Sequence, residues 1–127
     1  MSFQDTNTTL DTRETGTLIA ADKVEGTAVY RSSGEKVGSI ERVMIDKYTG
    51  RVAYAVLSFG GFLGFGDDYY PLPWSLLTYN ERLGGYEVNI GEDQLKDAPK
   101  YRSDESWDWA DRARGRRIDD YYQVPYL

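Results

Sequence analysis

At the centre of this 127-residue chain stand three consecutive segments: Arg51-Val-Ala-Tyr-Ala-Val-Leu-Ser-Phe59, Gly60-Gly-Phe-Leu-Gly-Phe-Gly66 and Asp67-Asp-Tyr-Tyr-Pro-Leu-Pro-Trp74. From Val52 to Phe59 both alternating sets of side chains are largely apolar, which predicts a strand buried on both faces at the centre of a sheet. The glycine-rich segment predicts an apolar turn. The two prolines of the next predicted strand, Tyr69–Trp74, place it at a sheet edge or end it early, because proline donates no ladder hydrogen bond.

Short β segments flank these three segments on both sides. In the strand that precedes them, the apolar spacing changes phase, which predicts a β-bulge near Glu41 and Arg42. Asp46-Lys-Tyr-Thr-Gly50 predicts a tight hairpin loop, and Glu92–Lys96 predicts one helical turn that ends before a proline. The predicted flanking strands are Gly26–Tyr30, Val37–Asp46, Ser75–Tyr79 and Tyr86–Ile90.

Composition divides the chain into three parts: a polar, flexible leader at residues 1–16, a β domain at residues 17–99 and a separate C-terminal element at residues 100–127. In the last part, Asp104–Arg114 is predicted to be helical, with Ser103 or Asp104 as N-cap and acidic residues in the first turn. An aromatic, extended tail is predicted to follow from Asp119.

The net charge is −6, and residues 1–99 hold 9 basic and 15 acidic side chains. Such a surface repels phosphate backbones and anionic bilayers, so direct nucleic-acid or lipid binding is not expected. The chain has no cysteine and no histidine, so it needs no oxidising compartment and lacks the usual ligands of zinc, copper and haem. No transmembrane run or signal peptide is predicted, and we expect a cytoplasmic protein without cofactors.

Several motifs together resemble the PRC-barrel domain family. They are Gly26-Thr-Ala-Val-Tyr30, Val37-Gly-Ser-Ile40, the Asp46–Gly50 hairpin, Phe59-Gly-Gly-Phe-Leu-Gly-Phe-Gly66, Pro73-Trp74 and Leu95-x-x-Ala98-Pro99. The resemblance implies a mainly β fold, a small antiparallel barrel followed here by the C-terminal helix and tail. It also implies a non-enzymatic scaffold that binds proteins.

The same resemblance implies two alternative roles. The family includes the cytoplasmic part of the photosynthetic reaction-centre H subunit, so an accessory role in that or another membrane electron-transfer complex, through a partner subunit, is one alternative. It also includes the C-terminal domain of the 16S rRNA processing factor, so ribosome or RNA processing is the other. The chain lacks the transmembrane helix of the first and the N-terminal domain of the second, and is more similar to stand-alone bacterial members.

No catalytic, cofactor-binding or metal-binding residues are predicted. A phosphate loop needs Lys and Ser or Thr after its glycines, whereas Asp67 and Asp68 follow Gly66. The serines have no histidine to activate them. The pairs of adjacent aspartates in the sequence form no EF-hand pattern. The arginines of Arg112–Arg117 lie beside aspartates that can form ion pairs with them.

Two aromatic sets are the candidate interaction residues. Phe62, Leu63 and Phe65 either cover the end of the barrel or form a docking patch. The C-terminal aromatics are of the types that dominate protein–protein contacts, yet they can instead pack on their own barrel or across a homodimer. We expect a homodimer, because an edge strand and an aromatic tail both favour pairing. This second set consists of Trp107, Trp109, Tyr121, Tyr122 and Tyr126.

Overall fold

The computed structural model describes residues 12–59 and 68–124. The glycine-rich loop with Phe62, Leu63 and Phe65 lies outside the described residues, as does Tyr126. The described elements are α1 (Ala21–Val24), β1 (Ala28–Tyr30), β2 (Lys36–Ile45), β3 (Val52–Ser58), β4 (Asp68–Pro73), β5 (Thr78–Asn80), β6 (Gly85–Glu87), α2 (Glu92–Lys96), β7 (Tyr101–Arg102) and α3 (Arg112–Tyr122). The mainly β fold with a C-terminal helix, predicted from the sequence, is confirmed.

The strands form one sheet in the order β5-β6-β1-β2-β3-β4-β7. All neighbouring pairs are antiparallel except β1 and β6, which run parallel. The register of β2 against β3 shifts between Ile40 and Arg42, which confirms the predicted bulge. Strand β3 lies between β2 and β4, and Ala55, Val56 and Leu57 are fully buried on both of its faces. Its predicted central position is therefore confirmed.

The proline-containing strand β4 has a full neighbour on one side only. Along β3 it pairs from Tyr69 to Pro73, whereas the two-residue β7 pairs only with Asp68 and Tyr69. Both prolines thus lie beyond the end of β7, as expected for residues that cannot complete a ladder. The single strand predicted at Ser75–Tyr79 is wrong, because a 3₁₀ turn at Trp74–Leu76 precedes β5.

The core is built around β3 and its neighbours. Ile40, Leu57 and Leu72 have no exposed surface, and the phenol ring of Tyr70 is equally buried, edge-on to Phe59 with 5.3 Å between centroids. Leu95 of α2 and Ile118 of α3 are also fully buried. Helices α2 and α3 therefore both contribute to one core.

Part of the predicted leader is ordered against the sheet. Glu14 and Ile19 form an isolated antiparallel bridge, with a turn held by Thr15 between them. The phenol of Tyr79 on β5 donates a 2.7 Å hydrogen bond to the Glu14 carboxylate, and this bond is the main reason why the pKa of Tyr79 is raised to about 12. Glu14 thus contacts β5 through Tyr79, while residues 1–11 lie outside the described residues.

The C-terminal helix lies eight residues further along the chain than predicted. The Asp104–Arg114 prediction is wrong, since residues 103–111 contain turns and no helix, and in one turn the amide of Ala110 donates to the Asp108 carboxylate. The helix runs from Arg112 to Tyr122 instead, and the N-cap is Asp111. The extended tail predicted from Asp119 is likewise wrong up to Tyr122, because these residues are helical.

Candidate interaction surfaces

The helix α3 packs on the sheet through one face. Ile118 and Tyr122, one turn apart, are buried against the core, and α3 contacts β4. The Asp111 carboxylate accepts from the amide of Ala113 at 2.9 Å and so begins the helix. At the other end, Gln123 is left-handed with φ 58°, and its amide closes the helix. We call Arg102–Val124 the C-terminal cap.

A buried carboxylate joins the C-terminal cap to the centre of the sheet. Asp119 is 4% exposed, and it is the one charged side chain found buried in the described part of the chain. The phenol of Tyr54 on β3 lies 3.1 Å from both of its carboxylate oxygens and donates a hydrogen bond to it. Burial raises the pKa of Asp119, and the charge of Asp120 adds to this, while the Tyr54 hydrogen bond opposes it.

This raised pKa sets the sign of a pH dependence. The folded chain holds the Asp119 proton more tightly than the unfolded chain, so this group stabilises the fold below its unfolded pKa and loses that effect as pH rises through its folded pKa. At pH 7 the buried charge of Asp119 therefore lowers the free energy of unfolding. We expect Asp119→Asn, whose amide oxygen still accepts from Tyr54, to raise the free energy of unfolding at pH 7 by on the order of 1 kcal/mol.

Urea unfolding at pH 7 and at pH 3.5 measures this effect. The advantage of Asp119→Asn should disappear at the lower pH, where the aspartate is protonated. Asp97→Asn, at an exposed aspartate, is the matched control and should change stability by less than about 0.5 kcal/mol at either pH. A loss of stability in Asp119→Asn at pH 7 would show that the charge itself holds the C-terminal cap in place.

Trp107 lies at the centre of the turn region of the C-terminal cap. It is 5% exposed, and its ring lies 5.8 Å from that of Tyr101 and 6.3 Å from that of Trp109. The guanidinium groups of Arg114 and Arg117 lie over the same ring, 5.1 and 5.9 Å from its centroid. Trp107, Trp109, Arg114 and Arg117 thus form one cluster, which we call the arginine–tryptophan patch.

The structure separates the candidate aromatic residues into two groups. Trp107 and Tyr122 are buried within this chain, so their rings belong to the core. Trp109 and Tyr121 are partly exposed: Trp109 packs on Tyr54 with 5.4 Å between centroids, and the Tyr121 phenol donates to the carbonyl of Gln94. The packing of the C-terminal segment on its own sheet, one of the alternatives left open by the sequence, is observed for residues up to Val124.

A second exposed surface lies at the turn between β2 and β3. Tyr48 is 97% exposed and Ile45 is 47% exposed. The carboxylate of Asp46 accepts hydrogen bonds from the amides of Tyr48 at 2.8 Å and Thr49 at 3.0 Å, and these bonds lower the pKa of Asp46. Gly50 closes the turn with φ 77°, a value that favours glycine. We call Ile45–Gly50 the hairpin tip.

Sequence reasoning predicted this turn but not its exposed side chains. The signal was present, because a tyrosine in a five-residue loop, three residues after an isoleucine at the strand end, has few places to pack. The loop was interpreted through its glycine and aspartate alone. Its aromatic residue was therefore missed as a candidate contact.

The structure also has an open groove of about 350 Å³ beside β5 and β6. Its one carboxylate, Glu87, accepts a hydrogen bond from Asn80 at 3.3 Å, and general acid–base chemistry would need a second titratable group beside it. Within residues 12–59 and 68–124, no group of three carboxylates is placed to hold a metal ion. The groove is lined by Ser75, Leu76, Thr78, Glu87, Val88, Asn89 and Ile90.

Among the helices in residues 12–59 and 68–124, none is both long and apolar enough to cross a bilayer.

Comparison with known proteins gives two matches. The family model of the PRC-barrel domain matches residues 16–95. An uncharacterized protein of Deinococcus radiodurans is 27% identical over 82 residues, which cover 65% of this chain and 29% of that protein. The chain thus spans less than a third of the length of this relative. The matched family region includes the hairpin tip, and it ends before the C-terminal cap.

Proposed function

The chain belongs to the PRC-barrel family, and on that premise we propose that it is a non-enzymatic scaffold that binds a protein partner. Domains of this family are in general non-catalytic and often mediate protein interactions. The observation that carries the proposal is the hairpin tip, where Tyr48 is 97% exposed on a turn fixed by hydrogen bonds. We propose the cytoplasm as the place where it acts.

The hairpin tip has the physical properties of a contact surface. An exposed tyrosine gives little to the stability of its own domain, yet it offers a large amphipathic area to a partner. Because the amides of Tyr48 and Thr49 are already bonded to Asp46, the loop loses little conformational entropy when it binds. Ile45 adds a neighbouring apolar side chain at the end of β2.

Removal of this apolar surface should abolish partner binding without unfolding the domain. We expect the double variant Tyr48→Ser/Ile45→Thr to bind its partner about tenfold or more weakly than wild type, and so to capture less partner protein from native extract. The measurement is affinity capture on wild-type and variant protein, quantified by mass spectrometry. Lys47→Ser, in the same loop, is the matched control and should retain capture. Equal capture by the double variant would contradict the proposed role of the hairpin tip.

The same experiment separates the two alternative roles. Recovery of subunits of a membrane electron-transfer complex would favour the first, and salt-resistant recovery of ribosomal proteins would favour the second. Recovery of the untagged chain itself would identify the proposed homodimer. Each of these outcomes is distinct from capture of another soluble protein, so the partner class follows from the proteins found.

A further inference from the structure

We propose that the arginine–tryptophan patch is a binding site for an acidic protein segment, with the two guanidinium groups paired to its carboxylates. The proposal rests on the proposed function in that it treats the chain as a protein-binding scaffold, and it adds a second surface and the chemistry of its partner. This surface lies in the C-terminal cap, beyond the region that the family model matches.

The geometry holds the arginines in place before any partner arrives. Both guanidinium groups lie over the ring of buried Trp107, at 5.1 and 5.9 Å from its centroid. A cation–π contact uses no N–H hydrogen bond, so the guanidinium N–H groups can still bind carboxylates as a fork. Arg114 and Arg117 are three residues apart on α3, which separates them by about 4.5 Å along the helix axis. Neighbouring carboxylates of one acidic segment can span this distance.

The charges around the patch are incompletely paired within the described chain. Arg114 approaches Asp111 at 3.7 Å, but the same aspartate caps the helix through Ala113. Arg117 is exposed, its guanidinium lies 5.9 Å from the centroid of the Trp107 ring, and no ion pair to it is found among residues 12–59 and 68–124. Arg114 also lies in the first turn of α3, where the helix dipole disfavours positive charge. A bound anion would relieve both effects.

The rest of the chain favours a short acidic segment over a long polyanion. Residues 1–99 carry 15 acidic and 9 basic side chains, so a nucleic acid that extended past the patch would meet a repulsive surface. An acidic protein segment of a few residues would contact the patch alone. The partly exposed ring of Trp109, 6.3 Å from that of Trp107, offers an apolar contact beside the charges.

Fluorescence anisotropy with labelled polyglutamate of about five residues tests the site, at low salt where the Debye length is longest. We expect wild-type protein to bind, and Arg114→Gln/Arg117→Gln to bind about tenfold or more weakly. Arg114→Lys/Arg117→Lys keeps both charges but loses the planar fork, so we expect it to lose about threefold or more. The control Lys36→Gln/Arg82→Gln removes two exposed charges elsewhere and should change affinity by less than about twofold.

Four results of the binding assay would overturn the proposal. They are no binding by the wild-type protein, undiminished binding by the glutamine pair, wild-type binding by the lysine pair, and equal affinity for single-stranded DNA of the same charge. A low-salt dimer that the glutamine pair dissociates would place a second copy of this chain on the patch and would also overturn it. Melting temperatures of the variants within a few degrees of wild type show that each is folded.

The two proposals fail separately. Tyr48→Ser/Ile45→Thr leaves the patch intact, so it should bind polyglutamate as wild type does. Arg114→Gln/Arg117→Gln leaves the hairpin tip intact, so it should still capture the partner that depends on Tyr48. A variant that keeps the activity of the surface it removes therefore identifies which of the two surfaces was assigned wrongly.

Discussion

Replacement of Trp107 by alanine is expected to lower the free energy of unfolding by about 3 to 5 kcal/mol, the range for deletion of a buried tryptophan side chain. The ring is 5% exposed and packs against Tyr101 and Trp109. Its Nε1 is buried and finds no hydrogen-bond partner in the described part of the chain. The expected loss therefore comes from packing and from the two cation–π contacts.

Urea unfolding followed by tyrosine fluorescence and by circular dichroism measures this loss. Tyr48→Ala is the matched control, since it removes an aromatic ring that is 97% exposed, and it should change stability by less than about 0.5 kcal/mol. A loss below about 1 kcal/mol in Trp107→Ala would mean that the C-terminal cap is not part of the cooperative fold.

Gly38→Ala is expected to destabilise the sheet by about 3 kcal/mol or more, and so to leave little folded protein in a domain of marginal stability. A Cβ at Gly38 would lie 2.1 Å from the carbonyl oxygen of Ser58 and 3.1 Å from the Cα of Phe59. Both neighbours are backbone atoms, so no side-chain rotation relieves the clash. Strands β2 and β3 would have to move apart beside the most buried part of the core.

The control for this variant is Gly16→Ala. A Cβ there would meet nothing within 4 Å, and we expect a change of less than about 0.5 kcal/mol. Thermal unfolding by circular dichroism compares the two variants under one set of conditions. A Gly38→Ala protein that melts near the wild-type temperature would show that β2 and β3 can separate there at little cost.

The central strands could be predicted because their signals are local. The run of apolar residues from Val52 marks β3 as buried on both faces, and the phase change before Val43 marks the bulge. The parallel pairing of β1 with β6 depends on contacts between residues nearly 60 positions apart, and no local pattern encodes it. The 3₁₀ turn after Pro73 was missed because Ser75-Leu-Leu-Thr-Tyr79 has the composition of a strand.

The C-terminal helix was misplaced because its local signals conflict. Ser103, Asp104 and the following acids resemble a helix start, whereas the true helix opens with arginines and contains Gly115, both unfavourable there. The burial of Ile118 and Tyr122 on the sheet outweighs these local costs. The i, i+4 spacing of Ile118 and Tyr122, with half-buried Gly115 three residues before Ile118, was the sequence signal for the face of the helix that packs on the sheet.

The sequence identified which types of residue form the candidate sites, but it did not show where these residues lie in the fold. Aromatic residues were identified as contact candidates and the arginines were expected to pair with aspartates, yet sequence could not show that Trp107 would be buried under two guanidinium groups. That burial depends on how the C-terminal cap lies against the sheet. The exposure of Tyr48, in contrast, was indicated by its place in a short loop. The predicted role of Phe62, Leu63 and Phe65 stays a prediction.

We expect this domain to work in complex with another protein chain, which it contacts through its hairpin tip. The most direct measurement is the light-scattering mass of the protein purified from native extract under mild conditions, beside the Tyr48→Ser/Ile45→Thr variant. We expect the wild-type particle to be heavier than the 14.5 kDa chain and the variant to have the mass of the single chain. A wild-type protein that is recovered at 14.5 kDa alone would contradict it.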